Sequence, residues 1–237
     1  PWPQAWRPAG CPVVAIYSTF LQRAYDQILH DVCLQDLPVV FAVDRAGLVG
    51  EDGDTHQGIY DISFLYGIKN MMILSPGTQA ELAQMLAHAL TRDGPVAIRY
   101  GRGALPQGEP YVGDLLAWRE ELPLGNVNLI ASGRLMETAH EVAQELHLGL
   151  IQAPCLKPMD LAMLERLRGT RLCLTLEDGV TAGGFGAAVS AHLSGMGVAC
   201  INFGADNAPL GQGAIAQQDE ASGISPERLS SRIRALL

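Results

Sequence analysis

The stretch VVAIYSTFLQRAYDQILHDV, residues 13–32, changes period in its middle. Val13 to Tyr17 is a β-branched apolar run, whereas Phe20, Ala24, Ile28 and Val32 recur every four residues with Arg23, Asp26, Gln27 and Asp31 between them. A short apolar run suits a buried strand, and the second spacing lines one face of a helix. The stretch therefore predicts a strand feeding a helix through Ser18-Thr19. Its junction holds a tyrosine, a phenylalanine and an arginine where a plain βα turn would use small polar residues.

The same grammar repeats downstream. LPVVFAV (37–43) reads as a strand buried on both faces, and NMMIL gives a strand over 71–74. After Pro76-Gly77 a helix starts at Thr78, with Glu81 three positions on completing a capping box. GPVAIRYGRG adds a strand over 95–100. Residues 103–126 are then rich in glycine and proline, which reads as a linker centred on 113–123. A second series follows: strand VNLIAS (127–132), helix 134–146, strand LGLIQA, helix 160–168, strand RLCLTLE, a helix opened by GGFG, strand VACINF and a last helix 226–236. Such alternation predicts an α/β chain of two parallel-sheet domains, 1–112 and 124–237.

Composition bounds the function. The 237 residues are 48% hydrophobic and 17% charged, the balance of a globular enzyme, and a net charge of −9 argues against nucleic acid or an anionic membrane as partner. No apolar run approaches the length of a membrane span. Five scattered cysteines without a C-x-x-C pair read as reduced thiols in a cytoplasmic setting. The start, PWPQAWRPAGCP, has neither an initiator Met nor a signal-peptide pattern and reads as an irregular arm over 1–12 or a truncation point.

In parallel sheets reactive groups collect beyond the carboxyl ends of the strands. That rule selects Tyr17 to Arg23, Asp44-Arg45 and Arg99 to Arg102, together with the loop AGLVGEDGDTHQG (46–58), which carries Glu51, Asp52, Asp54 and His56 on a glycine-rich, pliable frame. Arginines arriving from separate strand ends can form a fork for a phosphate or carboxylate. The alternative is that they pair with Asp44, Asp52 and Glu51, and that His56 is an ordinary solvent-exposed histidine. The acidic cluster fails as a calcium loop, because His56 and Gln57 stand where Asp and Gly are needed, so no metal site is expected here. Neither GGFG nor ASGRL completes a nucleotide-binding motif.

YSTFLQRAYDQ, DRAGLVGEDGDTHQG, SPGTQAEL, DGPVAIRYGRG, LKPMD and LEDGVTAGGFGAAV together resemble the 1-deoxy-D-xylulose-5-phosphate synthases, a family of transketolase-like thiamine-diphosphate enzymes. The resemblance implies that 1–112 is part of a pyrimidine-binding domain, 113–123 a linker and 124–237 a transketolase C-terminal domain. By the same resemblance Phe20 stacks on the cofactor's aminopyrimidine. Tyr17, Arg23, Arg45 and Arg102 line the acceptor's phosphate site, and Asp52 and His56 lie near the reacting carbon; Arg99 is an equally good ion-pair partner. The implied reaction joins pyruvate to D-glyceraldehyde 3-phosphate with loss of carbon dioxide, giving a precursor of isoprenoids and thiamine.

The sequence also departs from its family. The activating glutamate belongs upstream of the YSTF strand in an AEQH-like segment, yet no Glu precedes Glu51. No GDG with a distant Asn appears to grip diphosphate and Mg2+, and Gly101 stands where the family has the Pro of YPRG. The chain is therefore expected to be the carboxyl-terminal part of a synthase, catalytic only when completed. Its uncovered apolar rim implies a homodimer with a mobile 46–58 loop. The alternatives are a non-catalytic binding or dimerisation module from that family, or the β-subunit of a 2-oxoacid dehydrogenase.

Overall fold

A computed structural model describes residues 10–205, 207 and 211–237. The arm expected over 1–12 thus lies, for residues 1–9, outside the described residues. Strand β1 (Val13–Tyr17) pairs in parallel with β2 (Val40–Asp44), which pairs with β4 (Val96–Arg99), and β4 with β3 (Met72–Leu74). The sheet order β1-β2-β4-β3 leaves β1 at an edge, so Val13 and Val14 stay exposed, while all four residues of β4 are buried.

The second sheet runs β10 (Ala199–Ala205), β9 (Leu172–Val180), β6 (Val127–Ala131), β7 (Gly149–Gln152) and β5 (Arg119–Leu122). β9 sits between β6 and β10, and all nine of its residues are buried, the polar Thr175, Glu177 and Asp178 included.

Both sheets are parallel except at one edge, and those edges correct the sequence reading. Arg119–Leu122, inside the expected linker, is the antiparallel strand β5 against β7. Cys155–Lys157, a strand absent from the sequence reading, is β8; although it follows β7, it pairs antiparallel with β3 of the first sheet. The linker is anchored rather than loose: Trp118 is buried, with Nε1 donating to the Cys155 carbonyl at 2.8 Å, and the Tyr111 hydroxyl donates to the Ala117 carbonyl at 2.8 Å. The two domains consequently share one core, in which Leu21, Phe41 and Ile62 meet Trp118, Ile130 and Phe185.

The helices follow the sequence with local changes. Residues 18–33 are helical but not one regular helix: α1 (Ser18–Leu21), a 3-10 turn (Gln22–Ala24), α2 (Tyr25–Gln27) and a π-helical run (Ile28–Cys33) succeed one another. After α3 (Asp61–Tyr66) comes α4 (Gln79–Thr91). Thr78 caps it by accepting from the Glu81 amide at 3.1 Å, but Glu81 returns its carboxylate to the Gly77 amide at 2.7 Å, one residue before the cap. The second domain carries α5 (Met136–Leu146), α6 (Leu161–Glu165), α7 (Phe185–Ser194), α8 (Ile215–Ala221) and α9 (Pro226–Arg234), of which α8 was not expected from the sequence.

Candidate active site at the carboxyl ends of the first sheet

Tyr17 ends β1 and its ring stacks on Phe20, with centroids 5.5 Å apart and planes 14° apart. Phe20 is 38% exposed and meets His56 edge-on at 5.6 Å, while the Arg23 guanidinium lies 5.9 Å from its centroid. Arg45, one residue past β2, lies over Tyr17 at 4.2 Å and has a left-handed backbone, φ 53°. A non-glycine residue in that region is strained and is held there only by its surroundings. Here the holding groups are Asp44, whose Oδ1 accepts from the Arg45 amide at 2.7 Å, and Asp52, which forms an ion pair with the Arg45 guanidinium. Arg102 reaches the same Asp52 Oδ2 at 3.4 Å.

The expected residues thus gather around one mouth. Tyr17, Phe20, Arg23 and His56 form its aromatic side, and Arg45, Asp52 and Arg102 its charged side. Arg45 and Arg102 converge on Asp52, as the ion-pair alternative required, whereas Arg23 joins the Phe20 ring instead. Thr55 Oγ1 hydrogen-bonds His56 Nδ1 at 2.9 Å, which leaves Nε2 as the ring nitrogen for a reactant, and the Thr19 hydroxyl donates to the Thr55 carbonyl at 3.2 Å.

The 46–58 loop is pinned rather than pliable, correcting the expectation drawn from its glycines. Gly47 and Gly58 bridge its ends with amide-to-carbonyl bonds of 2.7 and 2.8 Å, and Ala46, Leu48 and Val49 are buried. The second domain holds its middle: Gln218 accepts from the Gly50 amide at 2.8 Å, and Asp178 lies under Leu48. Gly47 has φ +79°, and a Cβ there would come 1.9 Å from Asp178 Oδ2. Gly47→Ala therefore combines left-handed strain with overpacking and should lower stability by about 2–4 kcal/mol, read by urea denaturation.

Behind the mouth lies a charge network that the sequence reading did not assemble. Arg99, almost fully buried, bonds both oxygens of buried Asp61 at 3.0 and 3.2 Å and the Asp178 carbonyl at 2.7 Å. Arg134 grips the Asp178 carboxylate with two bonds of 2.7 Å and Asp219 with bonds of 3.0 and 2.8 Å. Two acids, Glu177 and Asp178, inside a fully buried strand were the available signal.

Glu177 accepts from the Phe185 and Gly186 amides at 2.9 and 2.8 Å, at the start of α7. Burial nevertheless pushes its carboxyl up to about 7, against the pull of those amides and of Arg99. A carboxyl raised in the folded state keeps its proton where the unfolded chain has lost it. Its contribution is thus fully present below the unfolded value near 4.5 and is lost as pH rises through about 7. Glu177→Gln mimics the protonated form. Relative to that variant, the wild type should lose on the order of 3 kcal/mol between pH 4.5 and 7.5, read as the pH dependence of the difference in urea midpoints.

Residues 5–107 match the transketolase pyrimidine-binding domain, and residues 120–229 match the transketolase C-terminal domain. The chain belongs to the transketolase family. Within that family, the 1-deoxy-D-xylulose-5-phosphate synthase of Carboxydothermus hydrogenoformans is 44% identical over 244 residues, covering 95% of this chain and 38% of that protein. The synthase of Thermus thermophilus is 42% identical over 231 residues, covering 95% and 37%. The chain therefore corresponds to the carboxyl-terminal part of a synthase of this kind and spans a little over a third of the length of these relatives. A split-gene transketolase described as an inactive β4 tetramer superposes with a TM-score of 0.85 at 25% identity, over 94% of this chain and 75% of that one. Transketolase from Campylobacter jejuni, 23% identical with a TM-score of 0.77, shares the fold.

Transketolase-family membership implies dependence on thiamine diphosphate. The residues present fit its aromatic ring: Phe20 offers an exposed apolar platform at a strand end, backed by Tyr17. Among the described residues no group of three or more His, Cys, Asp or Glu could hold a metal ion. No described helix is long and apolar enough to cross a membrane.

Proposed function

We propose that the chain supplies the pyrimidine face and the acceptor site of a synthase that condenses pyruvate with D-glyceraldehyde 3-phosphate to 1-deoxy-D-xylulose 5-phosphate, releasing carbon dioxide. The gathering of Phe20, His56, Arg45, Asp52 and Arg102 at one strand-end mouth carries this reading. Thiamine diphosphate, when bound, supplies the stabilised carbanion chemistry that decarboxylation of a 2-oxoacid needs. Phe20 orients the ring by offset stacking, worth about 0.5–1.5 kcal/mol beyond burial. Arg45 and Arg102 bind the acceptor's phosphate by charge-assisted bonds, sharing themselves with Asp52, and Tyr17 backs Arg45, while Arg23 stays on the Phe20 side. His56, with Nδ1 engaged by Thr55, gives a proton through Nε2 to the aldehyde oxygen as it becomes an alkoxide.

The diphosphate, Mg2+ and the activating carboxylate belong, in this reading, to a complementary part, as a longer relative or a split-gene arrangement would provide. The split-gene transketolase supports the idea that such a portion can exist as its own subunit. The exposed Phe20, Tyr25 and Leu34 along 18–34 favour self-association, and we infer a homodimer, which light scattering would read. With cofactor, Mg2+ and pyruvate, residues 1–237 alone should release no steady carbon dioxide. Sustained release from the purified chain would overturn the assignment of the activating group to another part.

A further inference from the structure

Cys200 on β10 and Cys173 on β9 occupy the same register position in a parallel ladder. Side chains at one register position point to the same face, and neighbouring strands lie about 4.7–4.9 Å apart. That separation falls inside the Cα range of about 4.4–6.8 Å that a disulfide spans. The two residues differ in access. Cys173 is fully buried in the shared core, and Cys200 is half-buried on the edge strand of its sheet.

The surroundings of Cys200 are polar on one side. Asn202 Oδ1 collects bonds from Thr175 Oγ1 at 2.8 Å, Ser190 Oγ at 3.0 Å and Cys200 Sγ at 3.6 Å. The neighbouring Cys173 thiol, against the opposing effect of burial, holds the Cys200 thiol below its ordinary value, while the same contact and burial push Cys173 up, which makes Cys200 the thiolate of the pair. Burial moves the other core thiols the opposite way, Cys33 to about 11 and Cys155 to about 12, so they are poor thiolates.

We propose that Cys200 and Cys173 form a peroxide-sensitive thiol pair, with Cys200 attacked first and Cys173 resolving it into a disulfide that staples β10 to β9. In the first step the Cys200 thiolate attacks one peroxide oxygen and breaks the O–O bond. A sulfenic acid remains, and hydroxide leaves to be protonated to water. Cys173 sulfur then displaces the sulfenic hydroxyl, forming the S–S bond and a second water. The two thiols lose two electrons and the peroxide gains them. Because Cys200 is half-buried on the edge strand, its sulfur stays within reach of a dithiol reductant, which restores the pair.

The test is hydrogen peroxide titration of the full chain with intact mass, thiol alkylation and peptide mapping. The wild type should lose two of its five alkylatable thiols and yield a linked peptide joining the segments around 173 and 200, with both effects reversed by dithiothreitol. Cys173→Ser should leave Cys200 without a resolving partner, so that it gains two oxygens as sulfinic acid. Cys200→Ser should leave Cys173 reduced. A linkage through Cys11, Cys33 or Cys155, or equal alkylation of all five thiols after peroxide, would overturn the proposal. The wild-type peptide map decides the question by itself if either variant fails to fold.

Discussion

Arg99→Ala is expected to lower the stability of the chain by about 3–5 kcal/mol, a loss of more than a hundredfold in the folding constant. The reason is the neighbour it abandons. Asp61 is fully buried, and burial pushes its carboxyl up while the Arg99 guanidinium pulls it down. Removing the guanidinium leaves an uncompensated carboxylate and also an unpaired Asp178 carbonyl, which Arg99 satisfies at 2.7 Å. Replacing both partners, as in Arg99→Met with Asp61→Leu, should recover much of the loss, because two buried charges then cease to need one another. Urea denaturation of the two variants measures both halves. A single-variant loss below about 1 kcal/mol, the range of exposed pairs, would show that the bridge does not hold the domains together.

His56→Ala should reduce product formation in a completed synthase by about 10²–10⁴-fold, the usual contribution of a positioned general acid–base. Its stability cost should be small, since His56 is only partly buried in a surface loop and its ring makes one hydrogen bond and one edge contact. A fall in turnover with an unchanged KM for the aldehyde would place His56 in the proton transfer. A raised KM alone would place it in binding.

Much of the fold was legible because each strand of a parallel sheet is a buried apolar run and each helix shows its four-residue spacing. β2, β6, β9 and α4 emerge from the residues that suggested them. β8 was not legible, since three residues between Pro154 and Pro158 offer no alternation to count, and its partner β3 lies about eighty residues away. The linker misled for a different reason. Its glycines and prolines are real, but Tyr111 and Trp118 anchor it through buried rings and through hydrogen bonds to Gln84 and to the Cys155 carbonyl. At the site, sequence order placed the expected residues at the strand ends, yet could not say that Arg45 and Arg102 would both choose Asp52. That outcome depends on a loop whose shape is set by Asp178 and Gln218, from 130 and 168 residues further along the chain.

We propose that this chain holds a working acceptor site that needs a diphosphate-binding complement. The most direct test replaces the matched carboxyl-terminal part of the Carboxydothermus synthase with this chain and follows 1-deoxy-D-xylulose 5-phosphate formation from pyruvate and D-glyceraldehyde 3-phosphate. The account predicts aldehyde-dependent product formation that falls when Arg102 or Arg45 is replaced by alanine. A folded, cofactor-loaded chimera that forms no product, or one whose turnover ignores both arginines, would contradict it.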